Sequence, residues 1–149
     1  IYSFQDLIPP FLKNIFKKEV ARINRQALMS DWQRDTDRDA EVMVDICLMF
    51  RRGVLLDCGS YDENFKLYFA EDDLCNRIIK RGHKIRFLSN VSNIHLRHKS
   101  VNQLDREELL TIYRQDAYVY AKKYFGITRA IIIRFFMVLT RKFARIIKR

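Results

Sequence analysis

Three consecutive carboxylates, Glu71, Asp72 and Asp73, are the residues of this chain whose type and spacing best suit proton-transfer chemistry. They follow an aromatic segment and open a stretch with helical periodicity, so we expect them in the first turn of a helix. Acidic side chains there accept hydrogen bonds from free amides and interact favourably with the helix dipole, which is an ordinary structural role. The alternative role is a general base, because adjacent carboxylates repel and raise the pKa of one member. The charge pattern alone favours the structural role.

Periodicity predicts the elements that position these carboxylates. Apolar positions recur at helical spacing over Glu71–Arg81, and Gly82 stands where a C-terminal cap belongs. Basic residues in the last turn complement the acidic first turn. Alternation over His83–Leu88 predicts a strand with Ile85 and Phe87 facing inward.

The rest of the chain is predicted to mix helices and strands, which makes the fold class α/β. A mostly apolar run rich in Val and Ile favours a strand buried on both faces, and Gly residues mark turns. The further predicted elements are a helix within Tyr2–Leu28, a loop at Ser30–Asp39, the buried strand at Glu41–Arg51, a short helix and turn over Gly53–Asp62, and helices over Leu104–Tyr124 and Ile127–Arg149.

The segment Asp62–Arg77 (DENFKLYFAEDDLCNR) resembles a stretch of the family 2 glycosyltransferases that reads FDE-x-FF-x-Y-x-ED-x-DLC-x-R, especially in their rhamnosyltransferase-like branch. Other pieces are similar to that family in the same order. These are Asp31-Trp32, Cys47–Arg52 (CLMFRR), Arg81–Ile85 (RGHKI), and Ile94-His95 followed by Ser100. The resemblance covers roughly Asp31 to Ser100.

This resemblance implies an inverting glycosyltransferase with a GT-A fold, of which the chain is the C-terminal, acceptor-side half followed by amphipathic helices. The catalytic base of the family corresponds to Glu71, three residues before Leu74, and a one-residue gap would move the role to Asp72. Asp73, Arg77 and His95 are then the candidate substrate-binding residues, although Asp73 also suits a helix cap. The expected partners are a nucleotide-sugar donor and a saccharide or lipid-linked acceptor of cell-surface polysaccharide synthesis.

The donor side of such an enzyme has no counterpart in this sequence. The family binds a divalent ion, Mg²⁺ or Mn²⁺, through a D-x-D motif in a nucleotide-binding half, and none precedes Ile1. Asp35-Thr36-Asp37 spells D-x-D but lies too far downstream, so a solvated charge run is favoured and the metal ligands stay unassigned. Residues 1–104 are therefore predicted to be the acceptor-side part and 105–149 basic amphipathic helices, and the chain alone is predicted to be inactive. Val44-Asp45-Ile46 replaces the small residues of the family, which keeps an inactive remnant, or a half-enzyme that acts with another chain, as alternatives.

The net charge of +10 belongs to one end of the chain. Nine basic residues and no acidic one lie between Ala121 and Arg149, and the rest carries 19 basic against 18 acidic residues. Basic residues at helical spacing among apolar ones are typical of a helix on an anionic membrane surface, although a helix packed on its own domain fits equally well. The apolar run Ala130–Thr140 is too short to span a bilayer. A nucleic-acid-binding module is disfavoured, because no recognisable motif accompanies the charge.

The location predicted from sequence is cytoplasmic, or peripheral on the inner face of the membrane. No signal peptide pattern is present near the beginning. The three cysteines, Cys47, Cys58 and Cys75, are an odd number at wide spacing and are predicted to be reduced and mostly buried.

Overall fold

A computed structural model describes residues 18–19, 21–22, 25, 29–43, 47–94 and 105–147. The chain divides into two compact units, Arg34–Ala130 and Ile1–Gln33 with Ile131–Arg149. The described elements are β1 (Arg38–Ala40), α1 (Arg52–Cys58), α2 (Ala70–Lys80), β2 (Ile85–Phe87), α3 (Arg106–Phe125) and α4 (Ile127–Ile147). The described residues therefore mix helices with one small sheet. The half GT-A fold stays a prediction.

Helix α2 confirms the helix predicted at Glu71–Arg81, and local sequence explains where it ends. Gly82 has φ +81°, a left-handed conformation that glycine adopts without a Cβ penalty. Its N–H donates to the carbonyl of Ile79 at 2.9 Å, and the N–H of His83 donates to the carbonyl of Ile78 at 3.2 Å. This pair of bonds is a Schellman motif, which satisfies two carbonyls at the end of the helix.

Strand β2 confirms the predicted strand and pairs with β1 in a two-stranded antiparallel sheet, the single sheet of the described residues. Ile85 and Phe87 are half-buried and Arg86 between them is exposed, as the alternation predicted. Arg86 lies opposite Asp39 in the register, and its guanidinium is 3.2 Å from that carboxylate. Cross-strand charge pairs of this kind explain a strand in a segment predicted to be a loop.

The buried strand predicted at Glu41–Arg51 is wrong for the residues described there, 41–43 and 47–51, which form no strand. Val42 is 45% exposed and Met49 is 98% exposed. A strand with two buried faces needs pairing partners and cover on both sides, and the two-stranded sheet provides neither. The apolar composition of this run misled the prediction.

Two clusters of side chains form the core of the Arg34–Ala130 unit. The first joins α1 and α2 through Cys58, Leu74 and Ile78, with Phe50, Val54, Leu55 and Ile85 packed around them. The second is a stripe along α3 whose members repeat every four residues, namely Leu109, Tyr113, Ala117 and Ala121. Spacing of this kind keeps side chains on one helix face. Asp105 caps this helix, since its carboxylate accepts from the N–H of Glu108 at 2.7 Å.

Gly126 separates α3 from α4, as predicted. The described helices include none that is both long enough and apolar enough to cross a membrane. All three cysteines are free thiols, with Cys58 and Cys75 buried and Cys47 exposed, which confirms that prediction. The helix predicted within Tyr2–Leu28 lies largely outside the described residues, and the five positions that are described there, 18, 19, 21, 22 and 25, are helical.

Candidate active site

The junction loop, residues 62–69, leads the chain into α2 and is held by one buried carboxylate. Asp116 of α3 is 1% exposed and accepts hydrogen bonds from the backbone N–H groups of Lys66, Leu67 and Tyr68. The shortest of these bonds, from Tyr68, is 2.8 Å. An ionised carboxylate that accepts several amides gives strong, charge-assisted bonds. Asp116 therefore fixes the path of the backbone just before the acidic cluster.

Phe69 makes the turn from the junction loop into α2. Its backbone is left-handed, with φ 64° and ψ 0°, which is a strained conformation for a bulky residue. Its ring packs between two tyrosines of α3, with centroids 5.3 Å from both Tyr113 and Tyr120. Because aromatic pairs at this distance attract, the packing offsets the strain. The sharp turn places the first residues of α2 beside α3.

Asp73 holds the residues that follow this turn in place, because its side chain binds residues of both α2 and α3. Its side chain is fully buried, and its oxygens accept from Arg77 Nε at 2.8 Å, Lys123 Nζ at 2.7 Å and Tyr124 Oη at 2.7 Å. Burial raises the pKa of this carboxyl, but the three donors outweigh burial and the net pKa is lowered. Asp73 makes no helix-cap bond, so the cap interpretation is wrong. We call Asp73, Arg77, Lys123 and Tyr124 the Asp73 network.

Lys123 joins the Asp73 network to the start of the junction loop. Its ammonium lies 2.6 Å from Asp62 Oδ2 as well as 2.7 Å from Asp73 Oδ1. Hydrogen bonds from Lys123 and from the backbone of Asn64 lower the pKa of Asp62 to about 2. Burial opposes the charge on Lys123, but the two carboxylates outweigh it and the pKa of the ammonium is raised. Lys123 of α3 thus binds both ends of residues 62–73, the segment that contains the junction loop and the acidic cluster.

Arg77 connects α2 to the end of α1. Besides Asp73, its guanidinium donates to the carbonyls of Cys58, Gly59 and Ser60, at 3.0 Å for Gly59 and 2.7 Å for Ser60. The sequence predicted that Arg77 would pair with the acidic cluster, and its bond to Asp73 confirms that pairing. Substrate contact by Arg77 or Asp73 stays a prediction. Their bonds inside the chain favour a positioning role.

Glu71 and Asp72 are the two half-buried carboxylates of the cluster. Burial raises the pKa of Asp72, against a smaller opposite effect of a bond to its own backbone N–H. Repulsion between adjacent carboxylates was the expected cause of such a rise, whereas desolvation causes it here. The charge of Asp72 also acts on Tyr120, whose pKa is raised mainly by burial. Burial thus gives the carboxylate of Asp72 a greater affinity for a proton than an exposed aspartate has.

The D-x-D at Asp35-Thr36-Asp37 does not fit a metal site. Asp37 Oδ1 accepts from both the N–H and the hydroxyl of Ser89, at 2.8 and 3.0 Å, and Arg86 lies 3.9 Å from its other oxygen. A cation would have to displace this arginine. The hydrogen bonds from Ser89 lower the pKa of Asp37, so its negative charge is already stabilised by contacts within the chain. His95, the remaining candidate, lies outside the described residues.

Sequence reasoning missed the contribution of α3, which supplies Asp116, Tyr120, Lys123 and Tyr124. The predicted boundary at 104/105 assigned this helix to a separate tail. A usable signal was present, because Tyr113, Tyr120 and Tyr124 fall on one helix face together with Asp116. An open groove beside the start of α3, lined by Lys66, Asp105, Glu108 and Thr111 among others, does not reach the acidic cluster.

Comparisons of this chain with protein-family models, with curated proteins and with solved structures find no match. The resemblance to family 2 glycosyltransferases therefore rests on the quoted residues alone and stays a prediction.

Proposed function

We propose that this chain is the acceptor-side part of an inverting glycosyltransferase that transfers a sugar from a nucleotide-diphosphate donor to a saccharide or lipid-linked acceptor. The observation that carries the proposal is the half-buried carboxyl of Asp72 in the first turn of α2, whose pKa is raised by burial. The order of motifs from Asp31 to Ser100 supports the same chemistry.

In the proposed reaction the carboxylate takes the proton of an acceptor hydroxyl, and the hydroxyl oxygen attacks the anomeric carbon of the donor sugar. The bond from that carbon to the diphosphate breaks, the nucleoside diphosphate leaves, and the configuration inverts. A base with a pKa raised towards the working pH is more effective in such a step. The raised pKa of Asp72 makes it the first candidate for the base, and Glu71 is the second.

The surroundings of Asp72 suit a positioned base. Asp73 and Asp116 are 0% and 1% exposed and fix α2 and the junction loop, one on each side of the strained Phe69. Because both carboxylates have partners inside the chain, we propose that Asp73 and Asp116 position the first turn of α2. Proton transfer needs heavy atoms within hydrogen-bond reach, so a rigid first turn contributes directly to the rate.

The test compares Asp72→Asn, Glu71→Gln and the control Glu63→Gln in the full-length protein, with its donor-binding half present. Release of nucleoside diphosphate is followed with a panel of nucleotide sugars and saccharide or lipid-linked acceptors. We expect Asp72→Asn to lower kcat by about 10²- to 10⁴-fold, the usual contribution of a general base. Glu63 is exposed in the junction loop, and its variant should keep normal turnover. Near-normal kcat in both Asp72→Asn and Glu71→Gln would remove the acidic cluster from the mechanism.

We further propose that α4 lies on an anionic membrane surface. Its described side chains include seven exposed apolar residues: Ile127, Ile131, Ile132, Phe135, Phe136, Val138 and Leu139. With 3.6 residues per turn these cover about half the circumference of the helix, with Arg129 and Arg134 at its two borders. Ala130 and Met137, 0% and 6% exposed, lie on the opposite side. An apolar face bordered by arginines complements acyl chains below and anionic headgroups above.

Vesicle flotation tests this location. We expect binding to phosphatidylglycerol vesicles and much weaker binding to phosphatidylcholine vesicles. Arg129→Glu should weaken binding by at least about fivefold, since one basic residue near the surface contributes ~1 kcal/mol. Arg106→Glu changes the same charge at the exposed start of α3 and is the matched control. Equal flotation of Arg129→Glu and wild type, or none with anionic vesicles, would contradict the proposal.

A further inference from the structure

The C-terminal ends of α1 and α2 bring three metal-ligating side chains together, away from the acidic cluster. Asp57, Cys58 and His83 each offer one ligand atom, and these atoms all lie within 4.8 Å of one another. They form the single group of three such ligands in the part of the chain that the structure describes. We propose that Asp57, Cys58 and His83 bind a zinc ion.

The spacing of the ligand atoms agrees with zinc. His83 Nε2 lies 3.2 Å from Asp57 Oδ2. Two ligands about 2.0–2.2 Å from a tetrahedral zinc are separated by about 3.3 Å, so this edge already has the required length. The Cys58 sulfur lies within 4.8 Å of the other two ligand atoms, and a Zn–S bond of about 2.3 Å needs it to move closer by about 1.3 Å at most.

The ligand set also selects the ion. A thiolate, an imidazole and a carboxylate suit Zn²⁺, whereas Mg²⁺ and Ca²⁺ prefer oxygen ligands throughout. The thiolate and the carboxylate together balance the two charges of the ion. Asp57 is 45% and His83 37% exposed at the side chain, so water can enter and occupy a fourth position. Three protein ligands with one open position are typical of exchangeable or catalytic zinc sites.

Surrounding contacts hold the ligands in place without the ion. Arg77 binds the carbonyl of Cys58, which fixes the end of α1. The Schellman motif at the end of α2 fixes the backbone of His83. Arg81 donates to Asp57 Oδ1 at 2.8 Å and leaves Oδ2 directed at the imidazole. Outer contacts that orient metal ligands in this way increase metal affinity.

The experiment titrates the metal-free native protein with Zn²⁺ by calorimetry, and with Co²⁺ by absorption, because a thiolate bound to Co²⁺ gives a near-ultraviolet charge-transfer band. We expect one equivalent to bind with that band. His83→Ala should weaken binding by at least about tenfold, the minimum effect even of outer-shell changes. It is the primary variant because His83 is partly exposed, and Cys58→Ser, in the core, should abolish the band. Cys47→Ser and His98→Ala are the matched thiol and imidazole controls.

Unchanged Zn²⁺ affinity in His83→Ala, or a Co²⁺ thiolate band that disappears in Cys47→Ser and persists in Cys58→Ser, would overturn the proposal. So would the lack of any thiolate band in wild type. None of these readouts depends on glycosyl transfer, so the zinc site stands or falls independently of the proposed activity.

Discussion

The hydroxyl of Tyr124 donates to Asp73 Oδ1 at 2.7 Å across 51 residues of sequence. Burial and this bond raise the pKa of Tyr124, because loss of its proton would place a second negative charge beside the carboxylate. The contact joins the last turn of α3 to the first turn of α2. Helix α3 is therefore a structural part of the candidate site, and its loss should disorder the acidic cluster.

The first prediction concerns Asp116, whose carboxylate binds the junction loop. Asp116→Asn keeps one oxygen, which can still accept from the N–H groups of Lys66, Leu67 and Tyr68, but it removes the negative charge that strengthens these three bonds. We expect the free energy of unfolding to fall by about 2–3 kcal/mol, since a hydrogen bond to a charged group contributes roughly 1 kcal/mol more than a neutral one. Urea unfolding measures the change. Asp35→Asn, an exposed charge removal, should stay within about 0.5 kcal/mol of wild type, and an equally small effect of Asp116→Asn would contradict this account.

The second prediction concerns acid stability and Asp62. Because its pKa is lowered from 3.8 to about 2 in the folded chain, its contribution to stability is complete above pH 3.8 and is lost as the pH falls through about 2. After solvent screening the contribution is on the order of 1 kcal/mol. Urea midpoints measured from pH 5 to pH 2 should fall less steeply in Asp62→Asn than in wild type. Parallel curves would show that Lys123 does not hold this carboxylate in solution.

The third prediction is that Asp72 costs stability. Its pKa is raised by burial, so the folded chain is penalised wherever the carboxylate is ionised, well above pH 3.8, and the penalty disappears below that pH. Asp72→Asn should therefore unfold at a higher urea concentration than wild type at pH 7 and at the same concentration near pH 3. The same variant should lose turnover, a trade-off typical of functional residues. A destabilised Asp72→Asn at pH 7 would assign the residue a structural role.

Local sequence patterns predicted the parts of this fold that local bonds determine. Helix α2 with its Gly82 cap and the alternation of β2 were predictable, because their hydrogen bonds span five residues or fewer or follow a period of two. The contacts of Asp116 with residues 66–68 and of Tyr124 with Asp73 span 48 to 51 residues, and no local pattern encodes them. Strand β1 was missed for a similar reason, since it depends on charge pairs with a strand 47 residues away.

The last prediction tests the strained turn at Phe69, where two effects oppose each other. Phe69→Ala and Phe69→Gly both lose the ring contacts with Tyr113 and Tyr120, which costs about 3 kcal/mol for a largely buried aromatic. Alanine keeps the left-handed strain of φ 64°, whereas glycine removes it, and that strain costs roughly 1–2 kcal/mol. We therefore expect Phe69→Gly to be about 1 kcal/mol more stable than Phe69→Ala in urea unfolding, the reverse of the usual order in helices. Position 79, an exposed site inside α2, provides the control, because Ile79→Gly there should be less stable than Ile79→Ala. If glycine were the less stable variant at both positions, Phe69 would not be left-handed in solution, and the sharp entry into the acidic cluster would be excluded.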